Sequence, residues 1–134
     1  MTPSQRREEF LAKSLVHRTL ALLAPPAGAT LRGSGGGSSG GDIEYWHQRV
    51  DTGLSSPEVL QHYAAQLDAL GWRRGPGHRE AAFALQIWTF RDAEANPWRG
   101  ILSVSQSATA VERQNLELEL IRLPESTAPL TGGP

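Results

Sequence analysis

Cysteine is absent from this 134-residue chain, which removes disulfides, thiolate metal ligands and thiol nucleophiles from any account of it. The absence accords with a reducing compartment, and the chain reads as cytoplasmic. Lysine is nearly absent too: one lysine and twelve arginines stand against fourteen acids, for a formal net charge of −1. So small a charge supplies no global field toward nucleic acid or an anionic membrane, so nucleic acid is not an expected partner and a charged partner must be met by a local patch. No apolar run approaches the ~18 to 20 residues of a membrane span. Arg6-Arg7 followed by Phe10-Leu11 has the outline of a twin-arginine export signal, but Lys13, His17 and Arg18 interrupt the uncharged stretch such a signal needs.

What the chain does contain is a helix specified from cap to cap over residues 55–70, within SSPEVLQHYAAQLDALGW. Ser55 or Ser56 can accept from an orphaned N–H, Pro57 presets φ in the first turn, and Glu58 completes a Ser-x-x-Glu capping box with Ser55. Gly71 is placed to end the helix in the left-handed region, with Trp72 folding back near Leu67 in a Schellman motif. Val59, Leu60, Tyr63, Ala64, Leu67 and Leu70 recur at three- and four-residue spacing and form one apolar stripe.

The pattern of Ser56, Val59, Tyr63, Leu67, Gly71 and Trp72 resembles a unit of many small bacterial proteins and lipoproteins without an agreed activity. In those a strand precedes the helix and a strand meander follows it. The likeness spans residues 25 to 123 and implies an α+β fold and no reaction. This chain lacks the lipobox cysteine of the lipoproteins, so the likeness implies no lipid tether.

Residues 2–24 read as an amphipathic helix, with Thr2 as N-cap, Pro3 at the first helical position and Gln5 closing a second capping box. It is expected to cover the domain's own sheet, the alternative being to dock a partner or a second copy. Pro25-Pro26 ends it. Ala29–Arg32 begins a short strand before Gly33–Gly41, which reads as a flexible hairpin tip or linker. That run contains Gly35-x-Gly37-x-x-Gly40, but a strand and not a helix follows, so it is not read as a dinucleotide fingerprint. Strands are expected at Ile43–Val50, Phe83–Phe90, Gly100–Gln106 and Leu116–Leu123, with Arg73–Glu80 as a Gly/Pro loop. Leu116, Leu118 and Leu120 face one way and Glu117 and Glu119 the other.

The expected fold class is therefore α+β: an antiparallel sheet of four to five strands packed against one central helix, plus the N-terminal amphipathic helix. The expected organisation is the helix at 1–24, a single domain at 25–123 and a disordered tail at 124–134.

Chemistry is sparse. His17, His47, His62 and His78 show no i, i+3 or i+4 pairing, so the pattern supports no metal site, leaving His47, Asp42 and Glu44 assembled in space as the alternative. No Gly-x-Ser-x-Gly elbow occurs, and Glu117 and Glu119 read as a solvated stripe. No catalytic, cofactor or metal residue is assigned. The unusual investment is Trp46, Trp72, Trp88 and Trp98, enough aromatic volume for much of a small core. Trp46 beside Tyr45 and Trp88 beside Ile87 put large side chains on both faces of their strands, so a ring is expected outward or beneath the N-terminal helix. Arg73 and Arg74, with His78 and Arg79, form a basic cluster.

The function read from the residues is a non-catalytic protein-interaction or binding module. Its candidate surface is Trp46, Trp88, Tyr45, His47, Arg73 and Arg74, and its partner is another protein or a second copy through the N-terminal helix or an open sheet edge. The alternative is a small-molecule binder or enzyme with a pocket between sheet and helix, using Tyr63, His47 or Trp46. Concavity distinguishes them.

Overall fold

A computed structural model describes residue 19 and residues 23–40, 42–110 and 112–124. Strands β1 (Thr30–Gly40) and β2 (Ile43–Asp51) form a hairpin, followed by helix α1 (Ser56–Ala69). A meander then runs through β3 (Arg73–Glu80), β4 (Phe83–Arg91), β5 (Pro97–Gln106) and β6 (Arg113–Arg122). All neighbours are antiparallel, in the order β1-β2-β6-β5-β4-β3. The stretch containing α1 thus carries the chain from β2 to the far edge, and the meander walks back until β6 pairs with β2.

This corrects the expected architecture. The sheet has six strands among the described residues, not four to five, and α1 is the one helical element in the order. The amphipathic helix expected at 2–24 lies outside the described residues, apart from Thr19 and Leu23–Ala24. The uncounted strand is β3. Its eight residues are all exposed, so it shows no alternation in sequence, yet its backbone pairs with β4 from Arg73↔Thr89 to Glu80↔Phe83. A register shift between Arg74 and Gly77 accommodates Pro76, and the buried Gln86 amide donates to the carbonyls of Gly75 (2.6 Å) and Pro76 (3.0 Å). The glycine-rich run expected as a hairpin tip is also strand: β1 pairs with β2 as far as Gly40↔Ile43, with a shift between Arg32 and Gly36.

Helix α1 has the caps its sequence specifies. Ser55 Oγ accepts from Glu58 N–H (3.3 Å) while Glu58 Oε1 accepts from Ser55 N–H (3.0 Å). At the other end Trp72 N–H donates to Leu67 C=O (3.2 Å) and Gly71 N–H to Asp68 C=O (3.0 Å), the Schellman pair, with Gly71 at φ +91°.

Side-chain parity does the rest. On the inner face Val50, Trp88, Trp98, Leu102, Val104, Leu116, Leu118 and Leu120 join Val59, Leu60, Ala64, Leu67 and Trp72 in one core. Helix α1 lies over β3, β4 and β5. Two buried polar side chains are paired with each other: Ser56 Oγ–H donates to Gln114 Oε1 (2.7 Å), and Gln114 Nε2 donates to Leu54 C=O (3.2 Å).

Candidate functional site

The six sequence-nominated residues divide between core, face and edge. Trp88 is 0% exposed; its indole N–H donates to Asp68 Oδ1 (3.1 Å) and its ring meets Trp72 edge-on at 6.1 Å, so it belongs to the core and offers nothing to a ligand. Trp46 also takes the inner face, half-buried against the core. Arg74 is held by Asp68 Oδ2 at 2.6 Å, and Arg73 is exposed beside it on the β3 edge. Tyr45 and His47 take the outer face, as does Arg73, which pairs with Thr89 at the far edge. Four strand spacings separate β2 from β3, roughly 19 Å, so Tyr45 and His47 do not form one patch with Arg73 and Arg74.

The outer face is assembled by register. Tyr45 lies opposite Glu119, Glu119 opposite Ile101, and Ile101 opposite Ile87. One row over, His47 opposes Glu117, Glu117 opposes Ser103, and Ser103 opposes Leu85. Phe83 begins the next row. Phe83, Leu85, Ile87, Ile101 and Ile121 are half-buried, an aliphatic and aromatic stripe on the face that α1 leaves free. Beside it Tyr45 and His47 stand with ring centroids 5.9 Å apart and planes tilted by 35°. These aliphatic positions were not singled out from sequence as a surface; the available signal was strand parity, since each lies one residue from a core side chain.

The electrostatics of this row are acidic. Tyr45 is pushed above its ordinary range, first by loss of solvent, then by a hydrogen bond to Glu117 and the charges of Glu117 and Glu119. At the end of the face Asp51 accepts from Arg32 Nε and from Arg113 Nε (3.1 Å), and these contacts hold its carboxyl below the usual range, the Arg32 bond foremost.

An open depression of about 330 Å³ lies here, lined by Tyr45, His47, Arg49, Ser105, Asn115 and Glu117 among others. A second of the same volume is bounded by Asp42, Arg122, Leu123 and Pro124. The space between sheet and α1 is filled by Leu60, Leu67, Trp72 and Trp88. Tyr63, nominated for a pocket there, is a buried core residue. Among the described residues no three His, Asp or Glu side chains converge as a metal set, and no helix is long and apolar enough to cross a membrane.

No protein-family model, curated protein or solved structure matches this chain.

Proposed function

We propose that the chain is a non-catalytic protein-binding module that meets its partner on the outer sheet face. The observation that supports this is the continuity of the half-buried stripe of Phe83, Leu85, Ile87 and Ile101 with Tyr45, Glu117 and Glu119 across three paired strand boundaries. An aliphatic centre with a tyrosine beside it and charges around it has the composition of a protein interface. An open surface suits a macromolecule better than a small ligand, which needs a concave site burying most of its area. Glu117 and Glu119 favour a partner that sets a basic residue between apolar ones, while Arg49 and Arg99 on the same face offer sites for its acids. The resemblance of residues 55–72 to small bacterial proteins without an agreed activity is compatible with a binding role. The cysteine-free composition makes the cytoplasm the compartment we assign.

The test places a photo-crosslinking residue at Ile101 or, as control, at the exposed Gln61 on α1. The expected result is a discrete adduct from position 101 only. The partner so identified, once purified, should bind the wild-type chain and lose binding to Ile101→Glu and Ile87→Glu variants of native circular dichroism. Equal adducts from both positions, or unchanged binding by both variants, would refute the reading.

A further inference from the structure

Helix α1 holds a short extended segment of its own chain by main-chain recognition. His62 and Gln66, four residues apart, stand on one side of the helix. The Gln66 side-chain amide accepts from Ala24 N–H at 2.7 Å and donates to Ala24 C=O at 2.8 Å, so it reads both polar groups of that residue. His62 Nε2 meets the same carbonyl at 2.8 Å, and because a carbonyl only accepts, the ring must carry its proton on that nitrogen. Leu23, next in line, packs against the core. The sequence explains the pose. Pro25 disfavours the helical region for Ala24 and biases it toward extended backbone, and the alanine side chain is small enough to let the backbone approach the helix.

Every contact in this clamp is to main chain or to one aliphatic side chain, the recognition mode of peptide-binding domains. We propose that it is a peptide-binding site filled in cis by Leu23–Ala24. In trans it takes an extended segment of a partner protein carrying a leucine-sized side chain, then a small residue, then proline. This site lies on α1 and is distinct from the outer sheet face, so either can fail without the other. The tether gives the cis segment an effective concentration of order millimolar, so a free peptide competes poorly until the cis segment is weakened.

The probe is a fluorescent peptide copying residues 19–27, titrated into the full-length chain. Leu23→Asp disables the cis segment, and peptide affinity should rise by about tenfold or more over wild type, as removal of the competitor requires. The double variant Leu23→Asp, Gln66→Ala should lose that gain, and a peptide carrying Leu23→Asp should bind neither chain. Equal binding by wild type and Leu23→Asp, or a gain that survives Gln66→Ala, overturns the proposal. Should Leu23→Asp fail to fold, the wild-type chain decides: excess peptide should displace the cis segment and move the Ala24 amide resonance, and an unmoved resonance overturns the proposal equally.

Discussion

Gly100 on β5 lies directly beneath Trp72: a Cβ built on the glycine would stand 2.7 Å from ring atom Cζ3 and 3.4 Å from Cε3. The ring is also stacked on Phe90, with centroids 3.8 Å apart and planes within 3°. Trp72 cannot yield without disturbing Phe90, the edge-on contact with Trp88 and the Schellman end of α1.

Gly100→Ala should therefore destabilise the fold by about 1–3 kcal/mol, the usual cost of forcing extra volume into a packed core. Urea unfolding followed by tryptophan fluorescence measures it. A change under about 0.5 kcal/mol would mean the ring moves freely and the contact is not tight.

Asp68 ties helix to sheet twice, accepting from the Trp88 indole at 3.1 Å and from Arg74 Nη2 at 2.6 Å. The two bonds have different worth. Removing the acceptor from the fully buried Trp88 orphans an N–H, so Asp68→Ala should cost about 1–3 kcal/mol. The Arg74 side chain is 36% exposed, and Arg74→Ala should cost no more than about 1 kcal/mol, as surface ion pairs do. Asp68→Asn, which keeps an acceptor for Trp88, should recover most of the loss in chemical denaturation. An asparagine variant no better than alanine would show that charge outweighs the indole bond.

How much of this molecule its sequence disclosed depends on whether each residue carried its own signal. Helix α1 did, because Ser55, Pro57, Glu58 and Gly71 act on the backbone locally and the caps formed as written. The leucines of β6 did, because a half-covered strand must alternate. Strand β3 did not: RRGPGHRE has no buried side chain to mark it, and only pairing with β4 makes it a strand. The glycine run of β1 is similar, its extended form being imposed by β2. Trp46 and Trp88 were legible as strand residues and as candidate core rings, but which way each faced was not, since facing is set by register with partners distant in sequence. Strand parity marked the positions of the outer stripe, but their alignment into one stripe depends on register across strands, and the Gln66 clamp on Ala24 depends on a contact over 42 residues that no local pattern encodes.

Acid should find the molecule through two carboxylates at strand ends. Asp51 titrates below its ordinary 3.8 chiefly because Arg32 bonds it, with Arg113 adding to the effect. Burial pushes Asp92 up, but bonds from the Trp98 indole, the Asn96 and Glu94 amides and the Asn96 side chain outweigh it and bring it below 3.8. A depressed native pKa means that the unfolded chain takes protons first. The stabilising contribution is therefore present above about pH 4 and lost as pH falls through the lower native values. Denaturant midpoints measured from pH 6 to 2 should fall in that window. Asp51→Asn and Asp92→Asn should each be less stable at pH 6 and show a shallower acid decline; a decline as steep as wild type in both would exclude these groups.

Base should act through Tyr63. It is 6% exposed on the inner side of α1, and burial pushes its phenol from 10.0 to about 12, since a phenolate there would lose its solvation. The unfolded chain ionises at the ordinary value while the native chain still holds its proton, so between pH 10 and 12 the native state binds more protons. Stability contributed by the buried neutral phenol is complete below pH 10, falls by about 1.4 kcal/mol per pH unit above it, and is spent once pH passes the native value. Other groups titrate in this range, so the informative comparison is with Tyr63→Phe, which keeps the ring and removes the titration. No described hydrogen bond reaches the Tyr63 hydroxyl, so the variant should match wild type within about 0.5 kcal/mol at pH 8 and resist alkaline unfolding better by pH 11.5. Urea midpoints at the two pH values decide it. Curves that stay parallel for both chains would place the Tyr63 hydroxyl in water rather than in the core.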